Sequence, residues 1–261
     1  IWKHSFNNNL DIKRFKKLIN QYNDLNIVAG AMTLEISEKS ITSKPLHNHL
    51  NQWYKVYNSA LHLTDTLLIE TYHKSKLVPG AEQMPFQKFL YPILGDKILN
   101  IGAASSIGTF STQDTISIFS SLKDYKIAPI ICYESIYGEY VSQFIHKGAE
   151  AIFIITNDGW WKKTSGYQQH NMYAQLRAIE TRRYIARSAN TGISSIINHL
   201  GEIEKSIGWD SRESIKAHIP LYGKKTFYVK HGDFLGRLSA FFSIIIILYF
   251  IVINKLKFLG K

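Results

Sequence analysis

Ile127-Ala128-Pro129-Ile130-Ile131-Cys132-Tyr133-Glu134-Ser135 is the stretch where an apolar run stops and reactive side chains begin. Its β-branched content predicts a buried strand over Ile127–Cys132. The pattern that follows predicts a helix over Ile136–His146. A thiol at a strand-to-helix junction meets the partial positive charge of the helix N-terminus, which favours thiolate over thiol. Cys132 is the only cysteine in the chain. A lone cysteine is more often apolar core filler than a nucleophile. Here the neighbours Glu134 and Ser135 make poor core material, and a polar cluster upstream offers the partners a thiolate needs.

That cluster is Tyr72-His73-Lys74-Ser75-Lys76-Leu77-Val78-Pro79-Gly80-Ala81-Glu82-Gln83-Met84-Pro85-Phe86. It follows a predicted strand, Thr66–Tyr72, and Pro79-Gly80 marks a turn. A lysine just past a strand end can aim a cation into a cleft, where it would stabilise an oxyanion. Glu82 would hold such a lysine in place and keep it protonated. The backbone N–H of Tyr133, at the start of the turn after Cys132, is a second oxyanion donor. Glu134 is either a site-supporting residue or a helix-start acid with a modest dipole benefit. Lys74, Glu82 and Cys132 are therefore expected to converge in one pocket at the C-terminal ends of strands.

A third motif, Thr156-Asn157-Asp158-Gly159-Trp160-Trp161, closes another predicted strand, Ala151–Thr156. Asn-Asp-Gly alone is turn composition. Two adjacent tryptophans suit a membrane interface or an acyl-chain surface, so Asn157, Trp160 and Trp161 are candidate substrate or interface contacts. His170 could pair with Cys132 as a base. Arg177, Arg182, Arg183 and Arg187 around Glu180 read as ion pairs at helix faces.

The remaining predicted strands are Ile27–Leu34, Asn58–Thr64, Thr115–Phe119, Ala186–Asn190, Ser194–Ile197 and Ser214–Ile219. The remaining predicted helices are Leu10–Asp24 and Gln168–Tyr184. Lys39–Asn51 is polar and reads as a loop. Strands with intervening helices point to an α/β layered fold. A chain of 261 residues can build one substantial core.

The formal charge is +11, but the basic residues are dispersed and accompany no nucleic-acid motif, so an anionic bilayer is the expected partner rather than nucleic acid. Leu238–Asn254 carries no charge and has the ~17–25-residue length of a membrane span. Arg237 and Lys255 flank it. The tail, with Lys255, Lys257 and Lys261, is expected on the cytoplasmic side. Residues 1–233 then form a catalytic domain on the opposite face, and residues 234–261 a span with its tail.

Lys74-x-x-Leu77-Val78-Pro79, then Glu82 and Pro85, then Cys132-Tyr133-Glu134, then Asn157-Asp158-Gly159-Trp160 stand in the order of the nitrilase (carbon–nitrogen hydrolase) superfamily, which the chain resembles. Gln169-His170 and Arg187-Ser188-Ala189-Asn190-Thr191-Gly192-Ile193 add marks of its apolipoprotein N-acyltransferase branch. The resemblance implies a nitrilase-like αββα sandwich followed by one transmembrane helix. It implies a Glu-Lys-Cys triad, with Lys74 and Cys132 as two members and Glu82 as a further required acid. The triad Glu is expected upstream of Ile1. Glu35, at the end of the strand that starts at Ile27, is in the wrong place to replace it. The superfamily pattern uses no histidine base, which counts against His170. No metal or organic cofactor is implied. The implied partners are a phospholipid acyl donor and a diacylated apolipoprotein acceptor at a bacterial inner membrane, with the catalytic domain periplasmic. Two rival readings are an amidase or nitrilase and a catalytically inactive, membrane-anchored binding domain.

Overall fold

The computed structural model describes residues 1–22, 24–38, 43–45, 52–66, 68–83, 110–121 and 123–259. Two sheets face each other. In the first, strand β1 (Ile27–Ser37) runs antiparallel to β3 (Trp53–Leu63), from Ile27 opposite Leu63 to Ser37 opposite Trp53. The far edge of β3 pairs with β2 (Ser43–Pro45) and with β4 (Ile69–His73). The second sheet has the order β10-β9-β8-β7-β6-β5. Its strands are β5 (Phe119–Ser120), β6 (Lys126–Ile131), β7 (Ala151–Thr156), β8 (Tyr184–Ala189), β9 (Ser194–Ile197) and β10 (Ile203–Ile207). β6, β7 and β8 are parallel, and each parallel step needs a helical crossover.

The crossovers are α2 (Gly138–His146) and α3 (Ser165–Thr181), while α1 (Leu10–Ile19) precedes β1. Strand alternation sorts the layers. Leu61 and Leu63 of β3, with Ile27 and Ala31 of β1, pack on Ile12 and Ile19 of α1. The other face, with Val28 and Ala60, joins the core made by Ile130, Ile152 and Ile154 of the second sheet and Val141, Phe144, Ala174 and Ala178 of the helices. The result is the expected αββα sandwich, with all four layers supplied by one chain. At Gly30 the sheets pack tightly: a Cβ there would sit 2.8 Å from Ile155 Cγ2. Pro129 is tolerated inside β6 because β5 accompanies only Lys126 and Ile127, so no neighbour on that edge lacks a donor there.

Several boundaries differ from expectation. The helix predicted to Asp24 ends at Ile19, and the one predicted over Gln168–Tyr184 is shifted to Ser165–Thr181. Thr164 caps its start, and Arg182, in the left-handed region at φ 51°, ends it and frees Tyr184 for β8. Of Thr115–Phe119, only Phe119 is in a strand, because Gln113 Nε2 takes the Thr115 carbonyl. Ser214–Ile219 has no strand partner; Lys205 Nζ holds the Lys216 carbonyl instead, and the unforeseen β10 completes the sheet. The polar segment read as a loop contains β2, since edge pairing uses backbone groups whatever the side chains. The rest of that segment lies outside the described residues.

After a short helix α4 (Phe227–His231), α5 runs over Phe234–Leu259. At 1.5 Å per residue its 26 residues span about 39 Å, enough to cross a bilayer. Its apolar side chains from Phe241 to Val252 lie uncovered. Its base is tied to the domain where Glu139 Oε1 accepts from Arg237 Nη2 (2.8 Å) and from the Asp233 amide (2.7 Å).

Glu35 ends up in the first sheet's own polar chain. His73 Nε2 lies 3.0 Å from its Oε1, and Lys3 Nζ lies 2.8 Å away. The hydrogen bond to His73, then the pairing with Lys3, outweigh burial and hold its carboxyl at about 2, below the ordinary 4.5. A depressed carboxylate stabilises the fold above its unfolded value and loses that contribution as pH falls through the folded value. The fall in urea midpoint between pH 4.5 and pH 2 should therefore be shallower in Glu35→Gln than in the parent.

Candidate active site

Strand β6 delivers Cys132, and the chain turns there at once. Cys132 has φ 50°, the left-handed region that a non-glycine residue enters at a cost of about 1–3 kcal/mol. A 3-10 turn, Cys132–Ile136, follows, and α2 begins only at Gly138. The helix expected immediately after the cysteine is thus displaced. The groups at the thiol are the first N–H donors of the turn, which have no partner within it, rather than the end of α2. The half-buried thiol opens on a cavity of about 450 Å³.

Lys74 and Glu82 approach from the first sheet. Lys74 lies just past β4, and the Val78–Gln83 turn folds Glu82 back towards it, with the Val78 carbonyl accepting from the Glu82 amide (2.9 Å). Lys74 Nζ donates to both Glu82 oxygens, at 2.9 and 2.7 Å. Asn58 Nδ2 (2.7 Å) and the Val78 amide (2.9 Å) complete the carboxylate's shell. Lys74 is 1% exposed. The other lysine of the motif goes elsewhere: Lys76 Nζ rests 5.2 Å from the centre of the Tyr140 ring. Glu82 and Cys132 line the same cavity, so residues 50 positions apart share one site. Pro85 lies outside the described residues.

Glu134 is fully buried beneath this junction and does not line the cavity. Its Oε1 accepts from Tyr72 Oη (2.6 Å) and the Ser75 amide (2.7 Å), and its Oε2 from the Ile131 amide (2.9 Å). Burial raises its carboxyl pKa against the pull of those bonds. One carboxylate therefore clamps the lysine loop to the end of β6. This favours the supporting reading of Glu134 over a simple helix-start acid.

The aromatic wall comes from the turn after β7. Asn157 Oδ1 accepts from the Gly159 amide (3.1 Å), which shapes the Asp158–Trp161 3-10 turn. Asn157, Trp160 and Trp161 line the cavity together with Tyr133 and Tyr173. Trp160 is 69% exposed. Trp161 lies against Gly166, where a Cβ would come within 2.6 Å of its ring.

Asp158, His170 and Arg187 form a buried network that the sequence did not reveal. His170 Nδ1 meets Asp158 Oδ1 at 2.8 Å, and Arg187 Nη2 donates to Asp158 Oδ2 at 2.6 Å. Burial works against the charge on Asp158, but His170 and Arg187 outweigh it and hold the carboxyl below its ordinary range. His170 is not aimed as a base: its Nε2 has the Cys132 carbonyl (3.1 Å) and Ser135 Oγ (3.0 Å) as partners. Of the four arginines only Arg177 pairs with Glu180 (2.7 Å). Arg183 donates to carbonyls, among them Ala149 O at 3.0 Å. Glu35 is absent from the cavity wall. Among the described residues no group of side chains could hold a metal ion.

A thiol at a strained strand end and a carboxylate that lines the same cavity and holds a buried lysine, set on an αββα sandwich, is the arrangement of a nitrilase-superfamily enzyme. Residues 13–223 match the carbon–nitrogen hydrolase family, and the chain belongs to it. It is 33% identical to an apolipoprotein N-acyltransferase of Chlorobaculum tepidum over 183 residues, which is 69% of this chain and 34% of the relative. It is 33% identical to an apolipoprotein N-acyltransferase of Rickettsia prowazekii over 240 residues, 90% of this chain and 44% of the relative. The chain thus spans between a third and a half of the length of these relatives. Among solved structures, a carbon–nitrogen hydrolase from Helicobacter pylori superposes with a TM-score of 0.49 at 14% identity, over 78% of this chain and 64% of the other.

Proposed function

We propose that this chain is the catalytic part of a membrane N-acyltransferase that works through a cysteine thioester. The observation that carries the reading is that Cys132 shares one aromatic-walled cavity with Glu82, whose carboxylate holds Lys74, in a chain that also bears an uncovered apolar helix. Cys132 Sγ attacks the ester carbonyl of a phospholipid acyl chain. The carbonyl electrons move to oxygen, and the oxyanion is met by Lys74 and the Tyr133 N–H. Collapse expels the lysophospholipid alcohol, which takes the proton lost by the thiol, and leaves the acyl group on sulfur. The α-amine of a diacylglyceryl-cysteine lipoprotein then attacks the thioester, and the thiol is restored. The proton carrier in both halves is the Glu of the superfamily's triad. This is two-step nucleophilic catalysis.

Trp160 and Trp161 contact the acyl chain or the bilayer surface, and α5 spans the inner membrane with its basic tail cytoplasmic and residues 1–233 periplasmic. The relatives' names, the cavity's aromatic wall and the length of α5 all support this reading.

The test is mass spectrometry of the intact protein after incubation with phosphatidylethanolamine vesicles of one defined acyl length. The expected result is a single hydroxylamine-sensitive acyl adduct on the peptide that contains Cys132. A protein that releases ammonia from amides, yet never carries an acyl group from phospholipid, would instead be a hydrolase.

A further inference from the structure

His170 is built into the site, although neither of its ring nitrogens is free to serve the thiol. It sits on the inner side of α3, 5% exposed, and Nδ1 is committed to Asp158. Asp158 is itself held from three sides: by Arg187 of β8, by Thr156 Oγ1 at the end of β7 (2.9 Å), and through its own amide by the Thr191 carbonyl (2.8 Å). Gly192 lets the chain pass this close, since at φ 120° its missing Cβ would fall 2.4 Å from Asp158 Oδ2. A ring braced this firmly holds its Nε2 3.1 Å from the carbonyl oxygen of Cys132 and 3.0 Å from Ser135 Oγ, which itself donates to that carbonyl (2.8 Å).

That carbonyl shares a peptide plane with the Tyr133 N–H. Among the described residues every peptide bond is trans, and in a trans peptide the C=O and N–H point in opposite directions. Fixing the carbonyl therefore fixes the direction of the N–H. Cys132 sits in the left-handed region, at a cost in backbone energy, and the contacts to its carbonyl from His170 Nε2 and Ser135 Oγ help to hold that plane in place.

We propose that His170, braced by Asp158 and Arg187, is a positioning residue that locks the Cys132–Tyr133 peptide so that the Tyr133 N–H meets the oxyanion formed at Cys132. The inference rests on Cys132 being the nucleophile. His170 touches no reacting atom; it acts through one peptide plane.

Two probes separate this role from general support of the fold. Acylation of Cys132 by p-nitrophenyl butyrate passes through an oxyanion, whereas alkylation by iodoacetamide is a displacement at a saturated carbon and needs no oxyanion donor. In the intact protein His170→Ala should slow the acylation burst on the order of 10²-fold, the effect of losing one such donor, while leaving alkylation within about threefold. His170→Gln can still donate to the Cys132 carbonyl and should restore much of the burst. Ser135→Ala removes the second donor to the same carbonyl without opening the Asp158 network, and should give a smaller loss with the same selectivity for acylation. Acylation and alkylation falling together in these variants would overturn the inference, as would a folded His170→Ala protein that acylates like the parent. A parent that alkylates at Cys132 but never acylates would overturn the nucleophile reading as well.

Discussion

Cys132→Ser should show no acyl adduct from phospholipid, a loss on the order of 10⁴-fold or more, with little change in thermal stability. Thiolate forms readily near neutral pH, whereas a serine hydroxyl needs a strong base beside it. The base of the proposed mechanism is a carboxylate, matched to a thiol rather than to a hydroxyl, and His170 cannot replace it because its Nε2 is committed to the Cys132 carbonyl and Ser135 Oγ. The oxygen would therefore sit in the sulfur's place without activation. Cys132 is half-buried, and among the described residues no hydrogen bond to its thiol would be orphaned by the substitution, so the fold should hold. Because the chain has a single cysteine, parent and variant also differ in iodoacetamide uptake by one label, an internal control for the mass measurement. Normal acylation in the variant would sink the thioester mechanism.

The second large effect is on stability. Glu82→Ala leaves the Lys74 ammonium buried without its counter-charge. Removing one partner of a buried ion pair costs about 3–5 kcal/mol. In a domain of this size that lowers the melting temperature by roughly 6–20 °C. Lys74→Met should cost less, because Glu82 keeps its bonds from Asn58 Nδ2 and the Val78 amide. The double variant should be more stable than the two separate losses predict when summed, since each partner's removal makes the other's charge dispensable. Urea unfolding of the four proteins measures the coupling directly. Strict additivity would mean that the 2.7 Å contact contributes nothing to the fold. Activity should vanish in both Lys74→Met and Glu82→Ala, in the first because a donor to the oxyanion is lost and in the second because Lys74 is no longer held.

Cys132 and Lys74 are legible in the sequence as candidate site residues because both stand where strand periodicity breaks. Cys132 closes a β-branched run and Lys74 follows a strand, so both read as strand-end residues, but they end strands of two different sheets, which the sequence did not show. Strand periodicity alone does not separate Lys74 from Lys76; it was the Lys74-x-x-Leu77-Val78-Pro79 resemblance that singled out Lys74. Both are lysines on one loop, and only the packing sends one to Glu82 and the other over Tyr140. Similarly, Asp158 read as turn chemistry because its neighbours Asn157 and Gly159 do form a turn, while its own side chain points inward.

What the sequence by itself determined was whatever depends on neighbours along the chain: the alternation that separates the α1 face of β1 and β3 from their inner face, the junction at Cys132, and the uncharged run that becomes α5. What only the tertiary structure decided was how groups far apart in sequence are held. Glu134 had to be seen between Tyr72, Ser75 and Ile131 before it became a clamp rather than a helix-start acid. His170 had to be seen against the Cys132 carbonyl before it ceased to be a candidate base. The physical reason is that a hydrogen bond is directional over about 3 Å, whereas a sequence pattern specifies only which face of an element a residue occupies. Which atom that face then meets depends on the packing of two sheets and three helices.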